Sequence, residues 1–247
     1  MGRMLAATGR LDPRALKEAL TLMARNANPH HTHEARQHES EFRHEDGWGS
    51  AWLEGQTLHV RHSVRSCLDD PRLNELDHLD TDLLVLHARR ASRPGNARLE
   101  DTHPFLVEHN GCSWAFCHDG SLSDLRGLHP APGLVPTGTI DSERLFYHVL
   151  NYLDEDDAEG SIVSSLEPLE DYTALHCLLI GADRLFAVAK RHPDQSMPEY
   201  HALWEGHGDN LHVVSSEPLE GIGCDQWTRI PEPGIATLRR PAMSLVV

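Results

Sequence analysis

Apolar and polar positions alternate along the chain in short segments that predict strands, separated by a few stretches of helical spacing. Residues 3–8 are a short apolar run and predict a buried strand. The apolar positions after Asp12 and Pro13 recur at helical spacing, and these two residues suit the cap and the first turn of a helix. Residues 47–63 alternate about a Glu-Gly turn and predict a hairpin, and the apolar run 83–87 predicts another buried strand.

The second half of the chain continues the same pattern. Apolar runs predict strands at 114–117, 174–180, 184–189, 200–204, 211–214 and 235–238, and helical spacing predicts helices at 142–153 and 161–169. Strands in hairpins with grouped helices favour an α+β fold, in which helices cover the sheets, over a doubly wound parallel sheet. No linker is evident, so residues 1–247 are predicted to form a single domain.

Composition narrows the choice of partners and of compartment. The chain has 22 basic and 38 acidic residues, a net charge of -16, which argues against nucleic acid and anionic membranes as partners. No stretch reaches the roughly 20 apolar residues that a membrane span needs. The five cysteines are scattered and odd in number, which indicates reduced thiols and a cytoplasmic protein. The 19 histidines suggest that a fall to about pH 6 would remove much of the negative charge.

Polar residues cluster where the predicted strands end, and such positions often carry chemistry. Arg89 follows one apolar run, Gly120 follows another, and Asp141 precedes a predicted helix. Each residue alone has an ordinary explanation. An arginine after a strand often forms a surface salt bridge, His-Asp-Gly often forms a turn, and an aspartate before a helix often caps it.

The order of the motifs is more informative than any one of them. Six segments follow one another along the chain: HEDGWGSAW, HARRAS, DTHPF, WAFCHDGSL, GTIDSERLF and VVSSEPL. Together they resemble the class II glutamine amidotransferases, which are N-terminal nucleophile hydrolases, and especially the stand-alone branch that includes the γ-glutamyl hydrolase of ergothioneine synthesis. The resemblance extends from the N-terminus to about residue 219. It implies a four-layer α/β/β/α sandwich and a small glutamine-like substrate, with no cofactor and no metal.

The resemblance also implies roles for four residues. Arg89 would pair with the α-carboxylate of the substrate, a contact that a planar guanidinium makes with two hydrogen bonds. Asp141 would take the α-ammonium group, and Ser92 stands where the family often has a threonine near the substrate. Gly120 would donate its backbone N–H to the oxyanion that forms during the reaction.

Two positions depart from the family pattern. The family begins Met-Cys-Arg, and removal of the methionine exposes the cysteine nucleophile, whose own amine is the general base; this chain has Gly2 there. Asp119 stands where the family usually has an asparagine that donates to the oxyanion. Losing one such donor typically costs roughly 10²–10³ in rate. The resemblance therefore implies a γ-glutamyl amidohydrolase whose nucleophile is missing, and this form is predicted to be inactive.

Three explanations of Gly2 stay open. It is an engineered replacement in an active amidohydrolase, or the chain is a natural pseudoenzyme that binds a glutamine-like ligand or a partner. In the third explanation the pocket serves other chemistry, through its histidines. Because no synthetase domain is attached, released ammonia would pass to a separate subunit or the reaction would be plain hydrolysis.

Other unusual residues are given structural interpretations. His103 and Pro104 are interpreted as scaffold, and core packing explains Trp48 at least as well as substrate contact does. Residues 26–45 are polar and His-rich and are typical of a surface loop. This loop contains His30, His31, His33, His38 and His44. Imidazoles at such spacing can bind transition metals, but a solvated loop is favoured because no acidic or histidine pattern completes a site.

Overall fold

The computed structural model describes residues 2–30, 42–91 and 98–241. Twelve strands lie in these ranges: β1 (Gly2–Gly9), β2 (Trp48–Glu54), β3 (Thr57–Ser63), β4 (Leu83–Arg89), β5 (Phe105–His109), β6 (Cys112–Leu122), β7 (Tyr172–Ile180), β8 (Arg184–Ala189), β9 (Trp204–Gly208), β10 (Leu211–Ser215), β11 (Cys224–Arg229) and β12 (Gly234–Arg239). They are accompanied by helices α1 (Pro13–Ala24), α2 (Asp141–Tyr152) and α3 (Ala158–Leu166), and by 3-10 segments at Pro71–His78 and Leu99–Asp101.

The strands form two antiparallel sheets. One has seven strands in the order β11-β9-β10-β1-β4-β2-β3, and the other has five in the order β12-β8-β7-β6-β5. Three apolar clusters fill the layers: one lies between α1 and the seven-stranded sheet, one between the two sheets, and one between the five-stranded sheet and helices α2 and α3. The predicted α+β fold and its α/β/β/α layering are therefore confirmed.

Strand β1 lies near the middle of the seven-stranded sheet and brings the N-terminal segment into the core. Its side chains alternate, as a pleated strand requires: Leu5 and Ala7 pack towards α1, whereas Met4 and Ala6 pack between the sheets. Both faces are covered, so the strand is apolar almost throughout. By the same alternation Gly2 faces the space between the sheets, at the end of the apolar layer.

Local signals explain the first helix, as the sequence predicted. The Asp12 side chain accepts hydrogen bonds from the backbone N–H groups of Arg14 and Ala15, and Pro13 is the first helical residue. These bonds satisfy two of the four N–H groups that a helix start leaves free. The buried residues of α1 then face the seven-stranded sheet.

The structure corrects two predictions. The strand predicted at 200–204 is wrong over most of its length, because β9 begins at Trp204 and Tyr200 lies in the preceding turn. The polar segment 26–45 is not all surface loop, since Phe42 and His44 are buried. One contact explains both differences: the Tyr200 ring packs edge-on against Phe42 at 4.7 Å, and its hydroxyl lies 3.1 Å from His44 Nε2.

Strand β5 was missed because it is only five residues long, and β11 was missed because its sequence is mostly polar and half of its residues are exposed. Each is the last strand of its sheet. Trp48, by contrast, is fully buried and donates from Nε1 to Asp70 Oδ2 at 3.1 Å, which confirms core packing for that side chain. Within the described ranges, no helix is long and apolar enough to cross a membrane.

Candidate functional site

A cleft of about 490 Å³ opens where the ends of two strands meet the start of a helix. Its walls come mainly from the ends of β4 and β6 and from the start of α2, and they include His87, Arg89, His103, His118, Gly120 and Asp141. The structure thus brings Arg89, Gly120 and Asp141 to one cavity, although they are far apart in sequence. Ser92 falls outside the described residues, so its predicted place near the substrate stays a prediction.

Arg89 is the last residue of β4 and is held by the loop that precedes β2. Its backbone pairs with that loop, since Arg89 N donates to Gly47 O at 2.8 Å and Asp46 N donates to Arg89 O at 3.0 Å. Its Nη1 atom donates to Asp46 O at 3.2 Å. Among the residues that the structure describes, no carboxylate forms an ion pair with Arg89. The guanidinium therefore lines the cleft without an ion-pair partner among these described residues.

Asp141 is the first residue of α2 and does not cap it, because the N-cap position belongs to Ile140. Its Oδ2 atom accepts a hydrogen bond from Leu122 N at 2.6 Å, which ties the helix to the end of β6. The positive end of the helix dipole favours a negative charge at this position. Within residues 2–30, 42–91 and 98–241, Asp141 forms no ion pair, so its charge also faces the cleft unbalanced.

Gly120 is required by packing. Its φ is +142°, and a Cβ atom there would overlap the carbonyl oxygen of Ala174 on β7. The register between β6 and β7 shifts between Gly120 and Leu122, which marks a bulge at this point. Close backbone approach therefore explains the glycine, whatever its N–H does. The predicted donation from that N–H to an oxyanion stays a prediction.

Gly2 lies beside the cleft and is the cross-strand partner of Arg89. Its N atom donates to Asp119 Oδ1 at 2.6 Å. A Cβ atom added to Gly2 would overlap His87 Nε2 and approach His87 Cε1 to 2.8 Å. The imidazole of His87 therefore occupies the space into which a side chain at position 2 would project.

Asp119 is almost fully buried and points away from the cleft wall formed by its neighbours His118 and Gly120. Besides Gly2, it faces the guanidinium of Arg3, whose Nη1 lies 3.9 Å from Oδ2. Burial alone would raise the pKa of Asp119. The charge of Arg3, the nearby His201 and the Gly2 N–H outweigh it and hold that pKa well below its usual value. The carboxylate is therefore ionised and already engaged.

Arg3 is the centre of this buried network. Its Nε lies 3.2 Å from Glu217 Oε1, its Nη1 donates to Tyr200 O at 3.1 Å, and its guanidinium lies 3.7 Å from the centre of the Tyr200 ring. Asn28 donates to the other oxygen of Glu217 at 2.8 Å. Burial alone would lower the pKa of Arg3, but Tyr200, Glu217 and Asp119 raise it overall. The sequence did not predict this network, because its members are scattered along the chain.

Six buried histidines surround the cleft and the network: His44, His87, His103, His118, His176 and His201. Burial lowers the pKa of His87 to about 3 and those of His176 and His201 to about 4. These imidazoles are therefore neutral near pH 6. The prediction that a fall to about pH 6 would remove much of the negative charge through protonation of histidines is therefore wrong for these buried histidines.

The sequence contained a signal for part of this set. His87 and His118 precede Arg89 and Gly120 by two residues on the same strands, so strand periodicity places each pair on one face. His103 had been interpreted as scaffold, but it lines the cleft, and its ring lies 4.6 Å from that of His87. The scaffold interpretation of His103 is therefore incomplete.

The His-rich segment is only partly described. His31, His33 and His38 lie outside the described residues. The two remaining members have different surroundings: His30 Nε2 lies 3.1 Å from Glu220 Oε1 near the surface, whereas His44 is buried beside Tyr200. The interpretation as a wholly solvated loop is therefore wrong for His44.

Comparison with known proteins agrees with this arrangement. Residues 30–192 match the family model of the class II glutamine amidotransferases, a range that does not include Gly2. A Haemophilus influenzae protein inferred to be a glutamine amidotransferase is 31% identical over 223 residues, which cover 77% of this chain and 72% of that protein. Escherichia coli YafJ, with the same inferred activity, is 32% identical over 112 residues, which cover 44% of this chain and 43% of YafJ.

Solved structures show the same fold. A protein from Silicibacter pomeroyi described as a glutamine aminotransferase class-II domain protein superposes with a TM-score of 0.61 at 18% identity, covering 97% of this chain and all of that one. The Bacillus subtilis glutamine phosphoribosylpyrophosphate amidotransferase superposes with a TM-score of 0.64 at 18% identity, and this chain spans 49% of its length. The chain thus covers less than half of YafJ and about half of the Bacillus enzyme. On the family match and the Haemophilus relative, the chain belongs to the class II glutamine amidotransferases.

Proposed function

We propose that the cleft binds a small glutamine-type molecule by its α-amino and α-carboxylate groups, and that this form of the chain does not hydrolyse it. One observation carries the proposal. Arg89 and Asp141 come from different layers of the fold, line the same cleft, and have no ion-pair partner within the described ranges. Opposite unpaired charges in one cavity are suited to a zwitterionic amino acid.

The remaining cleft residues would meet the side chain of the ligand. With the α-groups held by Arg89 and Asp141, the γ-amide would extend towards Gly120 and the neutral imidazole of His87. An uncharged imidazole offers one donor and one acceptor, which can pair with the carbonyl oxygen or an N–H group of an amide. Ser92, by its place in the family motif, would stand near the same ligand.

The argument against hydrolysis rests on Gly2. In the family reaction a thiolate attacks the amide carbon, ammonia or an amine leaves, and water then hydrolyses the thioester, which frees the γ-carboxylate and restores the thiol. Gly2 has no side chain, and His87 fills the adjacent space. Gly2 and Asp119, the two departures from the family pattern, are in direct contact. Paired departures support a natural pseudoenzyme over one engineered substitution.

Two further proposals concern the chain as a whole. We propose that residues 1–247 form one domain, because the two sheets share a continuous apolar layer. We also propose a cytoplasmic location, which the five free cysteines support, Cys112 being exposed and the other four buried.

Binding is tested by calorimetry with L-glutamine and L-glutamate. We expect Arg89→Ala to weaken binding at least tenfold, about 1.4 kcal/mol, since the α-carboxylate loses its proposed guanidinium partner. Arg65→Ala is the matched control, because Arg65 is an exposed arginine outside the cleft. Equal affinity in the unmodified chain and in Arg89→Ala would remove Arg89 from the site. No binding of either amino acid would reject the proposal.

Hydrolysis is tested by ammonia release from L-glutamine and other γ-glutamyl amides. We expect none above the blank from the unmodified chain, and robust turnover would refute the argument from Gly2. Gly2→Cys restores a thiol, and Gly2→Ala is its matched control because it adds the same Cβ atom. We expect no ammonia release from either variant, because Gly2→Ala has no thiol and the thiol of Gly2→Cys reaches the cleft only if the His87 ring moves aside.

The second candidate function is an amidohydrolase whose nucleophile was replaced or recently lost. Ammonia release by Gly2→Cys, but not by Gly2→Ala, would favour this candidate over the pseudoenzyme. A separate ammonia-using subunit would then become the expected partner. If neither Gly2→Cys nor Gly2→Ala releases ammonia, and amino acid binding depends on Arg89, the results favour a pseudoenzyme that only binds its ligand.

A further inference from the structure

A second group of polar side chains lies on the hairpin formed by β9 and β10. Glu205 and His207 are two residues apart on β9 and therefore share a face, and His212 on β10 is the direct cross-strand partner of His207. The two imidazole rings stack, with centroids 4.3 Å apart and an interplanar angle of 26°. No member of this group lines the cleft.

The donor atoms of the three residues converge on one point. Glu205 Oε1 lies 2.6 Å from His212 Nε2 and 3.7 Å from His207 Nε2, and one donor atom from each residue lies within 4.8 Å of the others. In a tetrahedral zinc site the ligand atoms stand about 2.1 Å from the ion and hence about 3.4 Å from one another. Small side-chain rotations would bring these donors to that spacing.

We propose that Glu205, His207 and His212 bind a divalent transition-metal ion of the zinc type. Imidazole nitrogen and carboxylate oxygen are both common zinc ligands, and the ion would replace the proton now shared between Glu205 and His212. The His207 side chain is 65% exposed, so a fourth ligand from solvent has access.

A similar pair of side chains near the opposite edge of the same sheet serves as a comparison for the proposed metal site. His59 on β3 lies 3.5 Å from Glu54 on β2, so it too is a partly exposed histidine beside a carboxylate on a hairpin. Its other neighbour is Trp52, which stacks on the ring at 5.5 Å and offers no ligand. Only Glu54 and His59 offer ligand atoms here, and two ligands hold an ion less well than three, so His59 is not expected to bind a metal ion.

The test is calorimetric titration with Zn²⁺ at about pH 7.5, with the ion count checked by mass spectrometry of the intact protein. We expect one ion to bind through this site, and we expect its signal to disappear in H207Q/H212Q. We expect E205Q to weaken its affinity at least tenfold and H59Q to leave it unchanged. If the double variant fails to fold, the Zn²⁺ titration is repeated with H207Q alone, which we expect to weaken binding. The exposed His207 ring can be replaced without disturbing the core.

Two outcomes would overturn the proposal. One is Zn²⁺ binding with the same stoichiometry and affinity in H207Q/H212Q, which would place the ion elsewhere, for example in the His-rich segment 30–44. The other is no binding at millimolar Zn²⁺. Neither outcome bears on the amino acid cleft, whose tests use different residues and a different ligand.

Discussion

Two arginines lie next to Gly2 and have opposite surroundings. Arg3 follows it along β1, is 1% exposed, and has Glu217 and Asp119 as ion-pair partners. Arg89 is the partner of Gly2 across the sheet and is 7% exposed, and its side chain donates only to the carbonyl of Asp46 among the hydrogen bonds of the described residues. The same type of side chain is therefore neutralised by the fold on one side of Gly2 and left unbalanced on the other.

The difference separates structural from functional charge. A buried charge is costly unless it is paired, so Arg3, Asp119 and Glu217 are best understood as a unit that holds loops against the sheet. Arg89 and Asp141 are unbalanced and border a cavity, as expected of groups that wait for a ligand. Gly2 lies at the boundary, with its N–H in the buried unit and His87 between it and the cleft.

The largest effect is expected from breaking the buried unit. Arg3→Met keeps most of the side-chain volume but leaves two buried carboxylates without their cation. We expect the free energy of unfolding in urea to fall by roughly 3–5 kcal/mol, as for other buried ion pairs that lose one partner.

The control for that prediction is Arg14→Met on α1. The Arg14 side chain is 63% exposed and lies 3.9 Å from Asp77, so we expect a loss below about 1 kcal/mol. If Arg3→Met and Arg14→Met cost the same, the buried unit does not stabilise the fold as proposed, and the comparison between the two arginines fails.

A smaller effect concerns pH. Burial lowers the pKa of His201 to about 4, against roughly 6.5 in an unfolded chain. Between these two values the unfolded chain takes up a proton that native His201 does not, so the free energy of unfolding falls as the pH falls. One such histidine contributes up to about 1.4 kcal/mol per pH unit.

The measurement is urea unfolding between pH 7.5 and 4.5. We expect His201→Gln to reduce the pH slope of stability, even if it lowers stability at every pH. His78→Gln is the matched control, because His78 is exposed at the end of a 3-10 segment. An unaltered slope in His201→Gln would mean that His201 is not held neutral in the native state.

Local pattern predicted most of the fold, and motif order predicted part of the site. The Asp12 cap, the hairpin at 47–63 and the apolar runs each depend on residues close in sequence, so pattern found them. Arg89, Gly120 and Asp141 came from family motifs, and the structure brings them to one cleft. The contact of Tyr200 with His44 joins two polar segments 156 residues apart, which no local pattern reports.

The contact between Gly2 and Asp119 could not be predicted from the sequence either, because it too joins distant segments. Each residue was recognised as a departure from the family, but their contact across 117 residues requires the two sheets to be packed together. The sequence suggested that Asp119 replaces a family asparagine that donates to the oxyanion. In the structure the Asp119 carboxylate accepts a hydrogen bond from Gly2 N and lies 3.9 Å from Arg3 Nη1. The effect of Asp119 on an oxyanion in the cleft stays a prediction.

The smallest effect on stability is expected at Arg89, and it sharpens the comparison most. Arg89→Met removes one hydrogen bond to Asp46 O and strands no carboxylate, so we expect a loss of about 0.5–1.5 kcal/mol in urea unfolding, well below that of Arg3→Met. L-Glutamate in excess should raise the Tm of the unmodified chain, because a ligand that binds only the native state stabilises it, and should not raise that of Arg89→Met. A loss at Arg89 as large as at Arg3 would mean that its charge is structural, and the cleft would lose its proposed carboxylate-binding group.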